Sequence, residues 1–343
     1  MKHVAFPSID QFRNVVHNLN QHVTYVGKDA NGESVYDNSQ PKPVVNFTGT
    51  VKLHGTNASV CLNEADGMWY QSREHVITPT QDNAGFAFFA ESKRGMFQSL
   101  FDQLCSQHNI DLSDGLTLTI FGEWCGSGIQ RGVAVANLPK SFFIFGAKVS
   151  SPDPEFVSYW IDSSALSSPE DRIFNVEHYD KYSIDIDFNT PQLVQNALKE
   201  ITDKVEAECP ISKAFGIKGV GEGVVWKGQY KDNTYRFKVK GEKHSVSKVK
   251  VLASVDVEKL NSVTAFVDYV VTQNRFDQAV NVIFGSAENA DITKMGDLIR
   301  WVVNDVVKEE GDTLVASGLE PKDVNRHISD RTRKMFFDME AAA

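Results

Sequence analysis

The chain reads as an α+β protein, with an antiparallel-sheet domain over residues 1–250 and a small all-helical domain over residues 251–343. Three observations predict this. β-type segments dominate from Val44 to Lys240 and do not alternate regularly with helices, which argues against a doubly wound parallel sheet. Near Val251 the apolar pattern changes to helical spacing. The length of 343 residues suits two cores at roughly 150 residues per domain.

The elements follow in order. Ser8 with Gln11 resembles a capping box, and Ile9, Phe12, Val15, Val16 and Leu19 recur at helical spacing, which predicts a short N-terminal helix. Asn31-Gly32 and Pro41-Lys42-Pro43 mark turns. Val44 to Leu53 reads as a strand. Ala58–Leu62 and Met68–Ser72 flank Asp66-Gly67, a hairpin signal. Further strands are expected at Leu116–Phe121, Phe142–Val149, Gly223–Lys227 and Thr234–Lys240, with a helix at Phe97–Cys105. In the tail, Leu260, Val263, Phe266, Val267, Val270 and Val271 share a helix face. So do Ile292, Met295, Leu298, Ile299, Val302 and Val303, and Pro321 opens a last helix running to Phe337.

Composition excludes several classes. Two-fifths of the residues are apolar and 23% are charged, a globular balance. Cys61, Cys105, Cys125 and Cys209 form no Cys-x-x-Cys pair and read as reduced thiols of a cytoplasmic protein. No apolar run approaches the ~20 residues of a membrane span, and the start has no secretion signal, so no membrane partner is expected. A net charge of −10 argues against coating nucleic acid by bulk charge. The average hides a contrast: residues 151–210 carry a net −9 and residues 217–250 a net +6. A local basic stretch in an acidic protein suits a confined anion site, although a solvated lysine-rich face has the same composition.

Common motifs fail. There is no P-loop, no Gly-x-Ser-x-Gly elbow and no His-Glu-x-x-His, and Arg131 stands where a dinucleotide fingerprint needs its third glycine. Zinc is not expected. Asp185-Ile186-Asp187 reads as an exposed acidic strand edge rather than a metal site.

Four segments carry chemistry. Lys52 ends a strand beside the glycine turn of Lys52-Leu53-His54-Gly55-Thr56-Asn57. In Tyr235–Lys240, alternation sends Arg236, Lys238 and Lys240 to one face, where they would bind phosphate and depress the pKa of a neighbouring amine. Phe121-Gly122-Glu123 and Glu222-Gly223-Val224-Val225-Trp226-Lys227 each set a carboxylate beside a glycine at a strand edge, suited to ribose hydroxyls or Mg²⁺. Any one of these alone is more often surface; their order together is specific.

With Arg73 and the aromatic strand Phe142-Phe143-Ile144-Phe145, that order resembles the covalent nucleotidyltransferases, and His54 in place of aspartate points to the RNA ligase branch. The nearest likeness is to the phage-type RNA ligase 2 family. Gly122–Gln130 and Val271-Thr272-Gln273-Asn274-Arg275 agree with it. The resemblance implies an adenylyltransferase domain followed by a helical domain that binds RNA ends. It implies that Lys52 attacks ATP and holds AMP, with Lys238 and Lys240 assisting. Leu53, Asn57, Arg73, Glu123, Phe145, Glu222 and Lys227 would complete the nucleotide site, Glu123 on the ribose, Phe145 on the adenine and Glu222 also on Mg²⁺ or Mn²⁺. His54, Gln130, Arg275 and Asp305 would serve the RNA. Val51 stands where members often carry an acidic residue, which leaves adenine to backbone carbonyls.

The implied activity joins 3′-hydroxyl and 5′-phosphate RNA ends, at nicks in duplex RNA, by a monomer. The enzymatic alternatives are an RNA-capping guanylyltransferase or a DNA ligase; His54 and the helical tail count against both. The non-enzymatic alternative is a nucleic-acid-binding protein of the same fold, which would be expected to have lost the nucleophile or a motif lysine.

Overall fold

A computed structural model describes residues 1–244 and 263–341. In chain order the elements are α1 (Phe12–Thr24), β1 (Tyr25–Lys28), β2 (Ser34–Tyr36), β3 (Val44–Lys52), β4 (Thr56–Asn63), β5 (Gly67–Ser72) and β6 (Val76–Ile77). Then come α2 (Phe86–Ser92), α3 (Arg94–His108), β7 (Thr117–Cys125), β8 (Ser141–Ser150), β9 (Tyr159–Ile161), β10 (Ile173–Asn175) and β11 (Lys181–Asp187). The chain continues through α4 (Gln195–Ala207), α5 (Pro210–Ala214), β12 (Gly223–Tyr230) and β13 (Asn233–Lys240). The tail holds α6 (Val263–Val270), α7 (Gln273–Phe284), α8 (Met295–Ala316) and α9 (Pro321–Ala341).

The chain forms two compact units, one of residues 1–9, 46–185 and 200–238, the other of residues 10–45, 186–199 and 239–343. The expected boundary near residue 250, and Leu260, lie outside the described residues. The division is not a single cut: residues 10–45 group with the helical tail.

The first unit is organised by two sheets. One runs β10–β8–β7–β4–β5–β6, with β9 also on β8; the other runs β11–β3–β12–β13. The β3–β12, β4–β5, β4–β7, β5–β6, β7–β8 and β8–β9 pairs are antiparallel, and β10 lies parallel to β8. The hairpin expected around Asp66-Gly67 pairs Ala58 with Ser72 through to Asn63 with Gly67. Val60, Leu118, Ile120, Trp124, Phe142 and Ile144 bury one face of the larger sheet under Phe86, Phe97, Phe101 and Leu104 of α2 and α3. Period-two alternation then leaves Asn57, Ser59, Phe121 and Glu123 on the opposite face. In the smaller sheet, Phe47, Trp226 and Phe237 pack together, with Phe237 5.3 Å from Phe47 and 6.1 Å from Trp226. Lys52, Lys227, Arg236, Lys238 and Lys240 hold positions on the other face, by the β3–β12 register and by alternation along β13. β11 is an edge strand, and Asp185 accepts from Asn46 Nδ2 at 2.7 Å, in keeping with an acidic strand edge.

The second unit buries Phe266, Val270, Phe276, Val280, Leu298, Val302, Val324, Ile328 and Phe336 among α6–α9. The capping box expected at Ser8 is not formed. α1 starts at Phe12 with Gln11 as N-cap, and the Gln11 amide reaches Glu309 O at 3.0 Å instead. Among the described residues no helix is long and apolar enough to cross a membrane.

Candidate active site

The turn after β3 gathers the reactive groups. Gly223 pairs with Lys52 across β12 and β3, so Glu222, one residue earlier, arrives beside the end of β3. Lys52 Nζ donates to Glu222 Oε2 at 2.7 Å and lies 3.5 Å from Leu53 O. His54 Nδ1 sits 3.5 Å from the same Glu222 oxygen. Glu222 is only 2% exposed, so its charge is compensated by these neighbours rather than by water.

Gly55 connects this cluster to the larger sheet. Its N–H donates to Glu123 Oε1 at 2.9 Å. A Cβ at this position would lie 2.4 Å from Trp124 O and 2.6 Å from Cys125 Cβ, so only glycine allows the approach. Gln130 Nε2 donates to Gly55 O at 3.4 Å, and Asn83 Nδ2 donates to Thr56 Oγ1 at 2.9 Å, fixing the same turn. Asn57 pairs with Glu123 across β4 and β7.

Burial pushes the Glu123 carboxyl up to about 7, and the charge of Glu222 adds to the rise. Lys52, the Gly55 N–H and Arg73 pull the other way. The effect of Arg73 places its charge near Glu123, as its position just after β5 implies.

Phe145 lies on β8, partly exposed, with the Phe6 ring 4.9 Å away. Lys227 is exposed on β12, and its charge reaches Asp162. Arg236 stacks 4.2 Å over the Trp160 ring, and burial lowers its pKa to about 10.

The cationic strand face and a metal ion near the phosphate were together expected to depress the Lys52 pKa; in the structure Glu222 also lies directly on that amine, at 2.7 Å. One expectation is corrected. Arg275 was to reach RNA ends; it is instead fully buried. Its Nε donates to Asp305 Oδ2 at 2.8 Å, Nη2 to Glu310 Oε1 at 3.4 Å and Nη1 to Val270 O. Arg13 Nη2 donates to the other Glu310 oxygen at 3.0 Å. The arginine therefore ties α6, α7 and α8 together rather than facing a ligand.

Sequence reading missed Phe6, Gln71 and Trp160. Phe6 and Trp160 lie in segments with no periodic pattern, and Gln71 looks like any polar strand residue. Among the described residues no group of three or more His, Cys, Asp or Glu side chains is arranged to hold a metal ion.

The family model for RNA ligase matches residues 45–240. No curated protein matches the chain. Solved structures to which the chain is similar include Naegleria gruberi RNA ligase variants with AMP and Mn (14% identity, TM-score 0.38) and with ATP and Mn (15%, TM-score 0.38). The Naegleria gruberi RNA ligase with PPi is 17% identical, also at TM-score 0.38. Each match covers 69% of this chain and 56% of the other, so the chain spans little more than half of those proteins' length.

Proposed function

This chain belongs to the RNA ligase family, whose model covers residues 45–240, and on that premise we propose that it is an ATP-dependent RNA ligase. It joins a 3′-hydroxyl end to a 5′-phosphate end, at nicks in duplex RNA, as a monomer without zinc. The observation that carries the reading is the convergence of Lys52, His54, Glu222 and the Gly55–Glu123 contact at one turn, on the sheet face that also presents Lys227 and Lys238.

In the first step the Lys52 Nζ lone pair attacks the α-phosphorus of ATP. A P–N bond forms, the P–O bond to pyrophosphate breaks, and Lys52 gives up a proton. AMP then passes to the RNA 5′-phosphate, releasing the lysine. Finally the 3′-hydroxyl attacks that phosphorus, loses its proton and expels AMP. Each transition state is anionic, which is why cations must face the reacting phosphate.

The chain's own residues divide the work. Lys227, Lys238, Lys240 and Arg73 supply positive charge to phosphates, Glu123 holds ribose hydroxyls, and Phe145 stacks on adenine. Leu53 and Asn57 border the nucleotide; His54 and Gln130, fixed around the same turn, serve the steps on RNA. Glu222 offers a buried hard oxygen donor beside the amine, which fits Mg²⁺ or Mn²⁺ shared with substrate phosphates. Such an ion would supply charge to the α-phosphate and favour the neutral amine. Glu222 must then exchange its hold on Lys52, so the ion pair is a resting state.

The test is covalent labelling. Full-length protein with Mg²⁺ and α-labelled ATP takes up AMP on Lys52, and Lys52→Ala takes up none. GTP labelling in place of ATP favours a capping enzyme, and sealing of DNA nicks favours a DNA ligase. An unlabelled wild-type protein that still binds RNA makes it a binding protein of the same fold.

A further inference from the structure

We infer that residues 1–9 form a wall of the nucleotide cleft, with Phe6 as a positioning residue for Phe145. This rests on the ligase reading, which makes Phe145 the adenine platform. Two independent features support it, a break in strand pairing at Phe145 and a built attachment for the N-terminal segment.

The break lies between β7 and β8. Phe121 pairs with Gly146 and Gly122 pairs with Ile144, so Phe145 is the extra residue of a bulge. A bulge re-aims a side chain and removes the cross-strand neighbour that would fix it. Packing has to supply that constraint, and Phe6 supplies it. Its ring lies edge-on to three others, 4.9 Å from Phe145, 5.2 Å from Phe121 and 5.3 Å from Trp160. Phe6 is 7% exposed, whereas Phe145 keeps part of its surface open. Arg236 covers Trp160 from β13 and lies 5.9 Å from the Phe6 ring, joining the aromatic group to the cation-bearing face.

The attachment uses a side-chain amide as a substitute strand. Val4 N–H donates to Gln71 Oε1 at 2.7 Å, and Gln71 Nε2 donates to Val4 O at 3.2 Å and to Ser59 Oγ at 2.9 Å. Gln71 is fully buried. The amino terminus pairs with Asp66 at 3.0 Å. A segment merely lying on the surface would not need a buried amide satisfied on both sides.

The experiment measures lysyl-AMP formation against ATP concentration for full-length wild type, Phe6→Ala, Phe6→Tyr and Val4→Pro, the last removing one donor to Gln71. Loss of adenine positioning raises KM for ATP about tenfold in Phe6→Ala while the maximal rate holds within about threefold, the pattern of lost binding rather than lost chemistry. Phe6→Tyr restores KM, and Val4→Pro raises it in the same direction. An unchanged KM overturns the inference. So does a lowered KM, which would make Phe6 a plug in the adenine position. If Phe6→Ala does not fold, Val4→Pro decides alone by the same criterion. A wild-type protein that takes no label overturns the ligase reading, and this inference with it; normal wild-type labelling with unshifted variants overturns this inference only.

Discussion

Lys52 Nζ and Glu222 Oε2 are 2.7 Å apart, and the carboxylate is almost wholly shielded from water. The pair sets two opposing demands on one glutamate. Bonded to the amine it would favour the charged, unreactive form; in the proposed reaction it would turn to a metal ion or nucleotide and promote the chemistry. Glu222→Gln separates these. If Glu222 only restrained Lys52, the variant would label faster. The expected outcome is slower labelling by about 100-fold, the scale of losing one electrostatic contact to the transition state. The half-saturating Mg²⁺ concentration should also rise, measured by labelling across a Mg²⁺ titration.

Glu123 links the site to stability. Its folded pKa of about 7 lies above the ordinary 4.5, chiefly through burial. Between these values the folded state binds a proton that the unfolded state has lost. Stability from this group is therefore full below pH 4.5 and declines as pH rises through about 7, by roughly 3 kcal/mol in all. Glu123→Gln keeps an oxygen for the Gly55 N–H and removes the ionisation. Its denaturation midpoint should change less than that of wild type between pH 5 and 8, while lysyl-AMP formation falls. A parallel pH dependence of stability in both proteins would contradict the raised pKa of the Glu123 carboxyl.

Gly55 is a steric requirement with no left-handed backbone to explain it; among the described glycines with positive φ it does not occur. Gly55→Ala forces a methyl group against Trp124 O and Cys125 Cβ. The turn must move away from β7, lengthening the contact between Gly55 N and Glu123. The expected cost is about 1–3 kcal/mol of stability, typical of overpacking. Labelling should be lost in protein that still melts cooperatively. Near-normal labelling would mean that the turn adapts freely.

Much of the first unit was legible because its signals are local. The hairpin at Asp66-Gly67 has a turn dipeptide and alternating strands, and β3, β12 and β13 appear where β-type runs occur. Lys52 and Glu222 were both singled out, but their contact depends on the register of strands 170 residues apart, which no spacing encodes. β9 and β10 are three residues each, too short to show a period, and the acidic segment holding them matched the family only loosely. The failed capping box has a similar origin. Ser8 and Gln11 satisfy the local pattern, but Phe6 is drawn into the aromatic group of the first unit while Gln11 caps α1 in the second. Arg275 shows the reverse error: a charged residue in a matching motif reads as a ligand contact, and only burial shows that its partners are internal.

That burial makes Arg275 the decisive test of the second unit. Arg275→Ala leaves Glu310 in the interior with Arg13 as a remaining partner, and leaves Asp305 without its bonded arginine. Breaking a buried ion pair from one side costs about 3–5 kcal/mol, because the stranded charge is not resolvated. A contact to RNA predicts something else: intact stability with sealing alone reduced. Chemical denaturation of full-length Arg275→Ala should show the large loss, and a double-mutant cycle with Glu310→Gln should recover part of it, since the two groups share one network. Lysyl-AMP formation, assigned to residues of the first unit and to Lys240, should persist under conditions where the protein remains folded. If stability is unchanged and only the joining of RNA ends suffers, the arginine leaves its internal partners to meet substrate, and the role first expected of it from sequence returns.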